Sequence, residues 1–378
     1  MERPTTHLAL VGCGFVADYY LATLPAHPEL RVTGLLDRLP DRAALLSRVH
    51  GHPVYRSLEE LLADPEVQIV LNLTNPREHH AVTRAVLSAG KHVYSEKPLA
   101  METRDAAELV ALAKSRGLLL SGAPCSLLGE TAQTLWRAVR RGAVGPVRLV
   151  YAEMDDGMIP RMPYRRWKSA SGLPWPYKDE FEVGCTLEHA GYFLTWLVAM
   201  FGPATEVTTF ASTRLPDKVP GEALSVDSPD FTVACLQHAS GVVSRLTCGI
   251  VAPRDHALTI VGDGGVLTTD ECWDYRSPVH KRRTLTVRRR SFLCPIPEPQ
   301  RLPASPHPRP RGAPAMDFAR GPAEMAEALH DGRPCRLSAD LTLHVTEVAL
   351  AIHHARRDGA VRPITSRFDP IEPMPWAR

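Results

Sequence analysis

The chain has 378 residues and a formal net charge of +2 at pH 7, and 44% of its residues are hydrophobic. This size and composition are typical of a globular protein of two or three domains, and so small a net charge argues against nucleic acid or a membrane surface as partner. Because the eight cysteines include no C-x-x-C pair and no apolar run approaches the roughly 20 residues of a membrane helix, we expect a cytoplasmic protein with reduced thiols, no metal site and no disulfide framework.

The first predicted element is the apolar run at residues 7–11, which indicates a buried parallel strand. It leads into Gly12-Cys13-Gly14-Phe15-Val16-Ala17, a G-x-G-x-x-A sequence that precedes a helical stretch. Gly12 permits a tight turn, Gly14 lets a pyrophosphate approach the backbone, and Ala17 allows close helix–strand packing. The free N–H groups at the start of the helix favour phosphate. The sequence therefore predicts a dinucleotide-binding turn.

A second apolar run, residues 32–36, ends in Asp37, which lies 20 positions after Ala17. A carboxylate at this place would accept hydrogen bonds from the adenine ribose hydroxyls and would repel a 2′-phosphate, which predicts NAD rather than NADP. Arg38 follows directly and could pair with a phosphate instead, so NADP stays the less favoured cofactor. The alternative interpretation of Asp37 is an ordinary turn residue.

Strands and helices continue to alternate up to about residue 121. Ser57 to Glu60 reads as a capping box, a strand at 67–73 precedes a helix at 78–89, and a strand at 92–95 precedes a helix at 103–116 and a strand at 118–121. This alternation predicts a doubly wound parallel sheet, that is, an α/β Rossmann domain. We place its boundary near residue 123, which gives domains 1–123 and 124–378.

Lys97 is the main candidate for chemistry. It follows the strand at 92–95, and active-site groups of open α/β sheets gather at such carboxyl ends. The chain is poor in lysine and rich in arginine, and Pro98 fixes the backbone directly after Lys97. The alternative is that Glu96 and Lys97 are two exposed charges in a turn.

The motifs of the first third resemble the Gfo/Idh/MocA oxidoreductase family, which includes inositol dehydrogenases and glucose–fructose oxidoreductase. The residues that carry the resemblance are Gly12-x-Gly14-x-x-Ala17, Asp37, Thr74-Asn75-Pro76-x-x-His79, Ala89-Gly90-Lys91-His92-Val93 and Glu96-Lys97-Pro98. The resemblance implies that Lys97 is the catalytic lysine. It also implies that the cofactor cleft is lined by Thr74, Asn75, Pro76, His79 and Glu96.

Residues 156–182 show little periodicity but many aromatic and cationic side chains. A loop this long inside a compact domain is usually functional. The rings of Trp167 and Trp175 suit the faces of a sugar, and the neighbouring cations suit a carboxylate or phosphate on the ligand. The alternative is a solvated loop whose aromatic side chains pack into the core.

A predicted helix at residues 186–201 carries Glu188, Tyr192 and Thr195 on one face. The family has Asp, His and often Asp or Asn there, so the chain departs at each position. Glu188 keeps a carboxylate, whereas Tyr192, with a free pKa of about 10, replaces a group that titrates near neutrality. Both are candidate catalytic and substrate-binding residues. His189 points roughly 100° away from Glu188 on an ideal helix and is a further substrate-binding candidate; the alternative is a capping carboxylate and a core tyrosine.

Strands predicted at 206–212, 231–238, 242–250 and 257–261 indicate a large, mostly antiparallel open sheet in an α+β domain. The resemblance implies that this sheet often carries the oligomer contact, so we expect a homodimer or homotetramer. Residues 277–314 are dense in proline and arginine and predict a surface excursion or a subunit-contact loop. Nucleic acid is disfavoured as their partner because the net charge of the chain is close to zero. Helices are predicted at 322–329 and 339–355.

The resulting hypothesis is an NAD-dependent oxidoreductase. It would transfer hydride between nicotinamide and a secondary alcohol or ketone of a sugar, cyclitol, glycoside or nucleotide sugar, with Lys97 as acid and base. Two alternatives stay open within the same fold. One is an NAD-retaining glycosidase or lyase that works by transient oxidation, and the other is a non-catalytic dinucleotide-binding sensor.

Overall fold

The computed structural model of the protein describes residues 4–302, 315–355 and 359–378. Their contacts divide the chain into two compact units. The first contains residues 4–125, 163–180 and 315–347, and the second contains residues 126–162, 181–302, 348–355 and 359–378. The predicted boundary at 123 lies close to the end of the first segment. The predicted domain 124–378 includes the two later segments of the first unit, because chain order does not reveal which core a segment is buried against.

The first unit is built on a five-stranded parallel sheet, which confirms the predicted doubly wound fold. Its strands are β1 (Thr6–Val11), β2 (Leu30–Leu36), β3 (Ile69–Asn72), β4 (His92–Ser95) and β5 (Leu120–Gly122), in the order β2-β1-β3-β4-β5. The helices that connect them are α1 (Phe15–Thr23), α2 (Pro40–His50), α3 (Leu58–Ala63), α4 (His79–Ser88) and α5 (Thr103–Ser115). Apolar side chains on both faces of the sheet are buried in two separate clusters, as expected when helices cover both sides.

Helix α2 is the one helix between the five parallel strands that the sequence interpretation missed. Pro40 stands in its first turn, and Gly51 ends it in the left-handed conformation with φ +77°. Proline at the start and glycine just past the end are the usual signals for a helix. Both signals, Pro40 and Gly51, could have been recognised in the sequence.

The later helices are α6 (Glu130–Arg140), α7 (Tyr177–Val183), α8 (Cys185–His189), α9 (Gly191–Phe201), α10 (Arg320–Asp331) and α11 (Ala339–His353). In the first unit, α10 lies against β4. A Cβ atom on Gly321 would stand 2.2 Å from the hydroxyl oxygen of Tyr94, so the helix approaches this closely only because residue 321 is glycine.

The second unit is built on a ten-stranded sheet. Its strands are β6 (Val147–Asp155), β7 (Ala204–Ser212), β8 (Phe231–His238), β9 (Val243–Gly249), β10 (Leu258–Gly262), β11 (Gly265–Thr269), β12 (Val279–Val287), β13 (Arg290–Leu293), β14 (Glu298–Gln300) and β15 (Val361–Pro363). The order is β13-β12-β11-β10-β6-β9-β8-β7-β15, with β14 paired to β12. Only β6 and β9 pair in parallel among these described strands, which confirms the predicted mostly antiparallel open sheet.

The arginine-rich stretch contains three of these strands, so interpreting all of residues 277–314 as a loop is wrong. β12 and β13 form an antiparallel hairpin in which Val287 lies opposite Arg290. Arginines on exposed strands near the edge of a sheet hinder pairing with other chains. Because these residues are charged, the sequence lacks the alternation of apolar and polar residues that indicates a strand. The run Pro308 to Arg311 lies outside the described residues. Within the described part of the chain, no helix has the length and apolar character that crossing a membrane requires.

Candidate active site

The carboxyl ends of the parallel strands bring the predicted cofactor residues of the first unit together. In the strand register Val11 lies beside Asn72, and Asn72 lies beside Ser95. The turns after β1, β3 and β4 therefore begin at one level of the sheet. Adjacent strands are about 4.8 Å apart, so two strand spacings, about 10 Å, separate the G-x-G turn from the turn that holds Lys97. Dinucleotides bind at this edge of open α/β sheets.

The G-x-G turn requires its two glycines for different reasons. Gly12 has φ +99°, and a Cβ atom there would lie 2.4 Å from the carbonyl oxygen of Leu73. Gly14 is the N-cap of α1, and a Cβ atom on it would meet no described protein atom within 4 Å, so the approach to the backbone is open. Phe15 and Val16 follow as half-buried residues in the first turn of α1. In the described structure no side chain caps this helix start, which fits a pyrophosphate bound to its N–H groups.

Cys13 contributes to this turn through its backbone. Its side chain is fully buried, and burial, with the Asp37 carboxylate as the next cause, raises the pKa of the thiol to about 12. The backbone N–H of Cys13 donates to Oδ2 of Asp37 over 2.6 Å. Oδ1 of Asp37 accepts from the N–H of Leu39 over 2.7 Å. Each carboxylate oxygen keeps a further lone pair for a ribose hydroxyl. Arg38 is exposed beside it.

The turn after β3 is held by its own polar side chains. Thr74 donates its hydroxyl hydrogen to Oδ1 of Asn72 over 2.6 Å, and Oδ1 of Asn75 accepts from the N–H of Arg77 over 3.1 Å. Thr74, Asn75 and Pro76 are all half-buried. Their main chain and side chains therefore form a fixed wall beside the G-x-G turn.

His79 has a supporting place behind this wall. Its side chain has no exposed surface, and its Nδ1 and Nε2 lie 2.6 Å and 3.0 Å from the carbonyl oxygens of Pro98 and Thr74. Burial lowers the pKa of His79 against the opposing effect of the two carbonyl groups. The resemblance implies that His79 lines the cofactor cleft, whereas this burial makes it a bridge between the turns that follow β3 and β4.

Glu96 and Lys97 form the turn after β4. Lys97 is half-buried, and the Lys97–Pro98 peptide bond is cis. Glu96 is buried, with Oε1 accepting from the hydroxyl of Tyr20 over 2.7 Å and Oε2 accepting from the backbone N–H of Lys97 over 3.1 Å. Burial, followed by the charge of Glu96, raises the pKa of Tyr20, so its hydroxyl stays a donor. The carboxylate of Glu96 thus fixes the backbone that holds Lys97.

The long aperiodic stretch contains a small hairpin in the first unit, which we call the aromatic hairpin (residues 167–175). Lys168 and Pro174 form an antiparallel bridge, and the N–H of Trp175 donates to the carbonyl oxygen of Trp167 over 3.0 Å. The centroids of the two indole rings are 5.0 Å apart, and both side chains are half-buried. The two predicted substrate-binding tryptophans therefore form one continuous aromatic surface.

In the second unit, Glu188, His189 and Tyr192 lie near the junction of two helices, α8 and α9, where the sequence predicts one continuous helix. Glu188 and Tyr192 are buried and His189 is half-buried. The rings of His189 and Tyr192 both lie against Trp273, at 6.0 Å and 5.4 Å between centroids. His189 and Tyr192 are three positions apart, which puts them on one side of a helix.

The structure adds a polar cluster to these residues that the sequence interpretation missed. Oδ2 of Asp156 lies 3.6 Å from Nε2 of His189, and Oδ1 lies 3.4 Å from Nε2 of His256. The Nδ1 atom of His256 lies 2.9 Å from Oε1 of Glu271. Burial opposes protonation of His256, but its contacts with Asp156 and Glu271 outweigh this effect and raise its pKa. Arg254 pairs with Glu271 and also lies 3.1 Å from Nδ1 of His256.

These residues follow or precede different strands of the ten-stranded sheet. Asp156 follows β6, His256 precedes β10, and Glu271 and Trp273 follow β11. Only Asp156 and His256 lie beside ends of strands that the sequence predicts, whereas β11 was not predicted. The pairing order of the strands, which the sequence does not contain, decides that they meet. In the second unit, His189 is therefore held by a carboxylate that also contacts a second, buried histidine.

Comparison with known proteins gives matches over most of the chain. The family described as "Oxidoreductase family, NAD-binding Rossmann fold" matches residues 6–123, and the GFO/IDH/MocA C-terminal domain matches residues 132–268. A trans-1,2-dihydrobenzene-1,2-diol dehydrogenase of Oryctolagus cuniculus is 28% identical over 270 residues, which cover 70% of this chain and 75% of that protein.

Two solved structures are similar over nearly the whole chain. An aldose-aldose oxidoreductase from Caulobacter crescentus, complexed with glycerol, has a TM-score of 0.74 at 22% identity and covers 95% of this chain and 99% of its own. A levoglucosan dehydrogenase, in complex with NADH and L-sorbose, has a TM-score of 0.77 at 17% identity and covers 96% and 100%. At these identities the two structures show the fold alone.

Proposed function

Because the chain belongs to the Gfo/Idh/MocA family of oxidoreductases, whose N-terminal domain is an NAD-binding Rossmann fold, we propose that it oxidises a secondary alcohol, or reduces the matching ketone, on a carbohydrate-like ring. The observation that carries this proposal is the position of Lys97. It follows β4 at the carboxyl-terminal ends of the parallel strands, where the turns after β1 and β3 also begin. A half-buried amine at that place supports acid–base chemistry next to a dinucleotide.

The residues around the strand ends fit the cofactor. The N-terminal turn of α1 would hold the pyrophosphate, Asp37 the adenine ribose, and the half-buried wall of Thr74, Asn75 and Pro76 the side nearer Lys97. When bound, NAD supplies the hydride acceptor. Asp37 supports NAD over NADP, since its carboxylate would repel a 2′-phosphate.

Lys97 is the proposed acid and base. As a neutral amine it accepts the proton of the substrate hydroxyl during oxidation, and as an ammonium group it returns that proton during reduction. Glu96 accepts from the backbone N–H of Lys97 and so keeps the amine-bearing turn in place. In the second unit, Glu188, Tyr192 and His189 stay candidate substrate-binding residues, with a carboxylate, a phenol and an imidazole as their polar groups.

The substrate class is proposed from the site and from the named relatives. Trp167 and Trp175 offer a surface for the apolar face of a ring, and the relatives include a dehydrogenase of a ring diol and an oxidoreductase of aldoses. We therefore propose a cyclic compound with neighbouring hydroxyl groups, such as a sugar, cyclitol, glycoside or nucleotide sugar. Self-association through the open sheet is also proposed. Its strands expose Leu149, Tyr151 and Phe210, and light scattering would measure the mass of the assembly.

The test is reduction of NAD at 340 nm across inositols, free sugars, glycosides and nucleotide sugars. Lys97→Ala is expected to abolish turnover and to leave NAD binding intact, because the amine acts on the substrate. Lys114→Ala is the matched control, since Lys114 lies on the surface of the first unit, where it forms an ion pair with Asp340.

Three results would count against the proposal. Joint loss of turnover and NAD binding in Lys97→Ala would make the residue structural or cofactor-binding. Tight NAD binding with product release but no net NADH would favour a glycosidase or lyase that uses transient oxidation. NAD binding without any conversion of substrate would favour a sensor.

A further inference from the structure

The tip of the aromatic hairpin is fastened to the first turn of α1, within the first unit. Oδ2 of Asp18 accepts from the backbone N–H of Ser171 over 2.6 Å, and Oδ1 accepts from the hydroxyl of Ser171 over 2.7 Å. Nε2 of His50, the last residue of α2, lies 2.8 Å from the same Oδ1. Asp18 is 3% exposed, so this carboxylate is a buried junction between α1, α2 and the hairpin.

The charge of Asp18 belongs to this junction. Burial opposes its ionisation, but hydrogen bonds from Ser169, Ser171 and His50 outweigh burial and lower the pKa of the carboxyl group. Charge-assisted hydrogen bonds are roughly twice as strong as neutral ones. A neutral side chain of the same shape would therefore hold the hairpin much less firmly.

The position of the hairpin tip decides the position of both indoles. The N–H of Ser169 donates to the carbonyl oxygen of Leu173 over 2.8 Å, and Leu173 is buried in the same apolar cluster as α1. Directly beyond this short turn the two strands of the hairpin carry Trp167 and Trp175. A shift of Ser171 at the tip would therefore move the aromatic surface as a whole.

The first turn of α1 also presents the N–H groups that fit a pyrophosphate. Asp18 lies in that turn, three residues after Phe15 begins the helix. We infer that Asp18 is a positioning residue that couples occupancy of the dinucleotide site to the order of the aromatic hairpin. Cofactor binding then prepares the indole surface for the substrate. The contacts of Asp18 are the evidence for this coupling, whereas the role of the two indoles in substrate binding rests on the proposed function.

Trypsin gives a direct measure of hairpin order, because Arg165, Arg166 and Lys168 are exposed in and beside it. The full-length protein is digested with and without NAD, and mass spectrometry gives the rate of cleavage at these three sites. NAD is expected to slow their cleavage in the wild-type protein. Asp18→Asn is expected to raise the rate about tenfold without NAD and to lose the protection by NAD, because it removes the charge from the hydrogen bonds.

Asp41→Asn is the matched control, since Asp41 is an exposed residue in the first turn of α2. Its cleavage rates are expected to equal those of the wild-type protein. NAD affinity is measured for each protein by calorimetry. If NAD binding and hairpin order are coupled, thermodynamic linkage limits the loss of NAD affinity. Asp18→Asn should then raise the dissociation constant of NAD by no more than the factor by which NAD slows cleavage of the wild-type hairpin.

Two outcomes would overturn the inference. Cleavage rates and NAD protection in Asp18→Asn that equal those of the wild-type protein would show that the junction does not order the hairpin. A loss of NAD affinity larger than the protection factor would make Asp18 a part of the cofactor site. If circular dichroism shows that Asp18→Asn does not fold, Ser171→Ala replaces it as the test, because this variant changes the hairpin alone. Unchanged cleavage in Ser171→Ala would also refute the coupling.

The digestion needs NAD but no substrate, so its result is independent of the proposed reaction. If no alcohol reduces NAD, the proposed function fails while the coupling is still measured. With an alcohol that the wild-type enzyme oxidises, Asp18→Asn is expected to raise KM several-fold and to change kcat less, because the bound substrate meets the same Lys97 amine. A fall in kcat alone would contradict a role in substrate positioning.

Discussion

Replacing Tyr20 by phenylalanine removes one hydroxyl group from the buried contact that holds Glu96. The lost hydrogen bond joins two buried side chains over 2.7 Å, and the acceptor is a carboxylate. The ring contacts survive in the variant, since Tyr94 and Phe318 lie 6.2 Å and 5.4 Å from the Tyr20 ring centroid. Loss of a hydrogen bond to a charged group costs about 1.5–3 kcal/mol, so we expect the free energy of unfolding to fall by about 2 kcal/mol.

The substitution of Tyr20 by phenylalanine is also expected to lower the turnover rate. Glu96 keeps its contact with the backbone N–H of Lys97 but loses the partner on its other oxygen, so the turn after β4 gains freedom. Turnover should fall about tenfold, because a misplaced amine accepts the proton less effectively. The affinity for NAD should change little.

The assay is denaturant unfolding together with kcat and the dissociation constant of NAD. Tyr19→Phe is the matched control, since it makes the same chemical change one residue away on a side chain that is 37% exposed. A Tyr20→Phe variant within 0.5 kcal/mol of the wild-type protein would refute the stabilising role of the hydrogen bond between Tyr20 and Glu96. Unchanged kcat in a destabilised variant would refute the link to Lys97.

Two further predictions concern stability and cofactor choice. Burial opposes protonation of His27, but its bonds to Asp317 and Glu29 outweigh it and raise the pKa of His27 from 6.5 to about 9. The stability that this ion pair adds is complete below pH 6.5 and is lost as pH rises through about 9. The destabilisation caused by His27→Gln, measured by denaturant titration, should therefore shrink by roughly 3 kcal/mol between pH 6 and pH 10. A destabilisation that does not change with pH would contradict the raised pKa. Asp37→Ala should weaken NAD binding about tenfold and NADP binding hardly at all, and equal losses would assign Asp37 to holding the turn through Cys13.

Much of the first unit could be predicted from the sequence because each chemical motif directly follows an apolar run. The G-x-G turn, Asp37 and Lys97 follow β1, β2 and β4, and a parallel sheet brings consecutive strand ends to one edge. The helix α2 was missed although proline and glycine mark both of its ends. Local signals therefore predicted the sheet of this unit well, whereas its two later segments, 163–180 and 315–347, were assigned to the second domain.

The second unit could be predicted less well because its polar cluster depends on strand pairing. Asp156 and His256 are a hundred positions apart in the chain, and they meet because β6 and β10 are neighbours in the sheet. Nothing in the spacing of these residues specifies that pairing. The strands β12 and β13 were missed for another reason, since arginines on exposed strands remove the apolar alternation that indicates a strand.

The contacts of α1 show why a motif is only the start of a site. The G-x-G-x-x-A sequence identifies the cofactor turn, but the same helix also carries Asp18, which holds the aromatic hairpin, and Tyr20, which holds Glu96. Residues two apart on a helix point about 200° away from each other, so one short helix can reach both segments. A helix is stiff along its hydrogen-bonded axis, and a displacement at its N-terminus reaches both contacts together. The cofactor turn, the turn that bears Lys97 and the tip of the aromatic hairpin are therefore linked through three features of α1: its uncapped start, Asp18 and Tyr20.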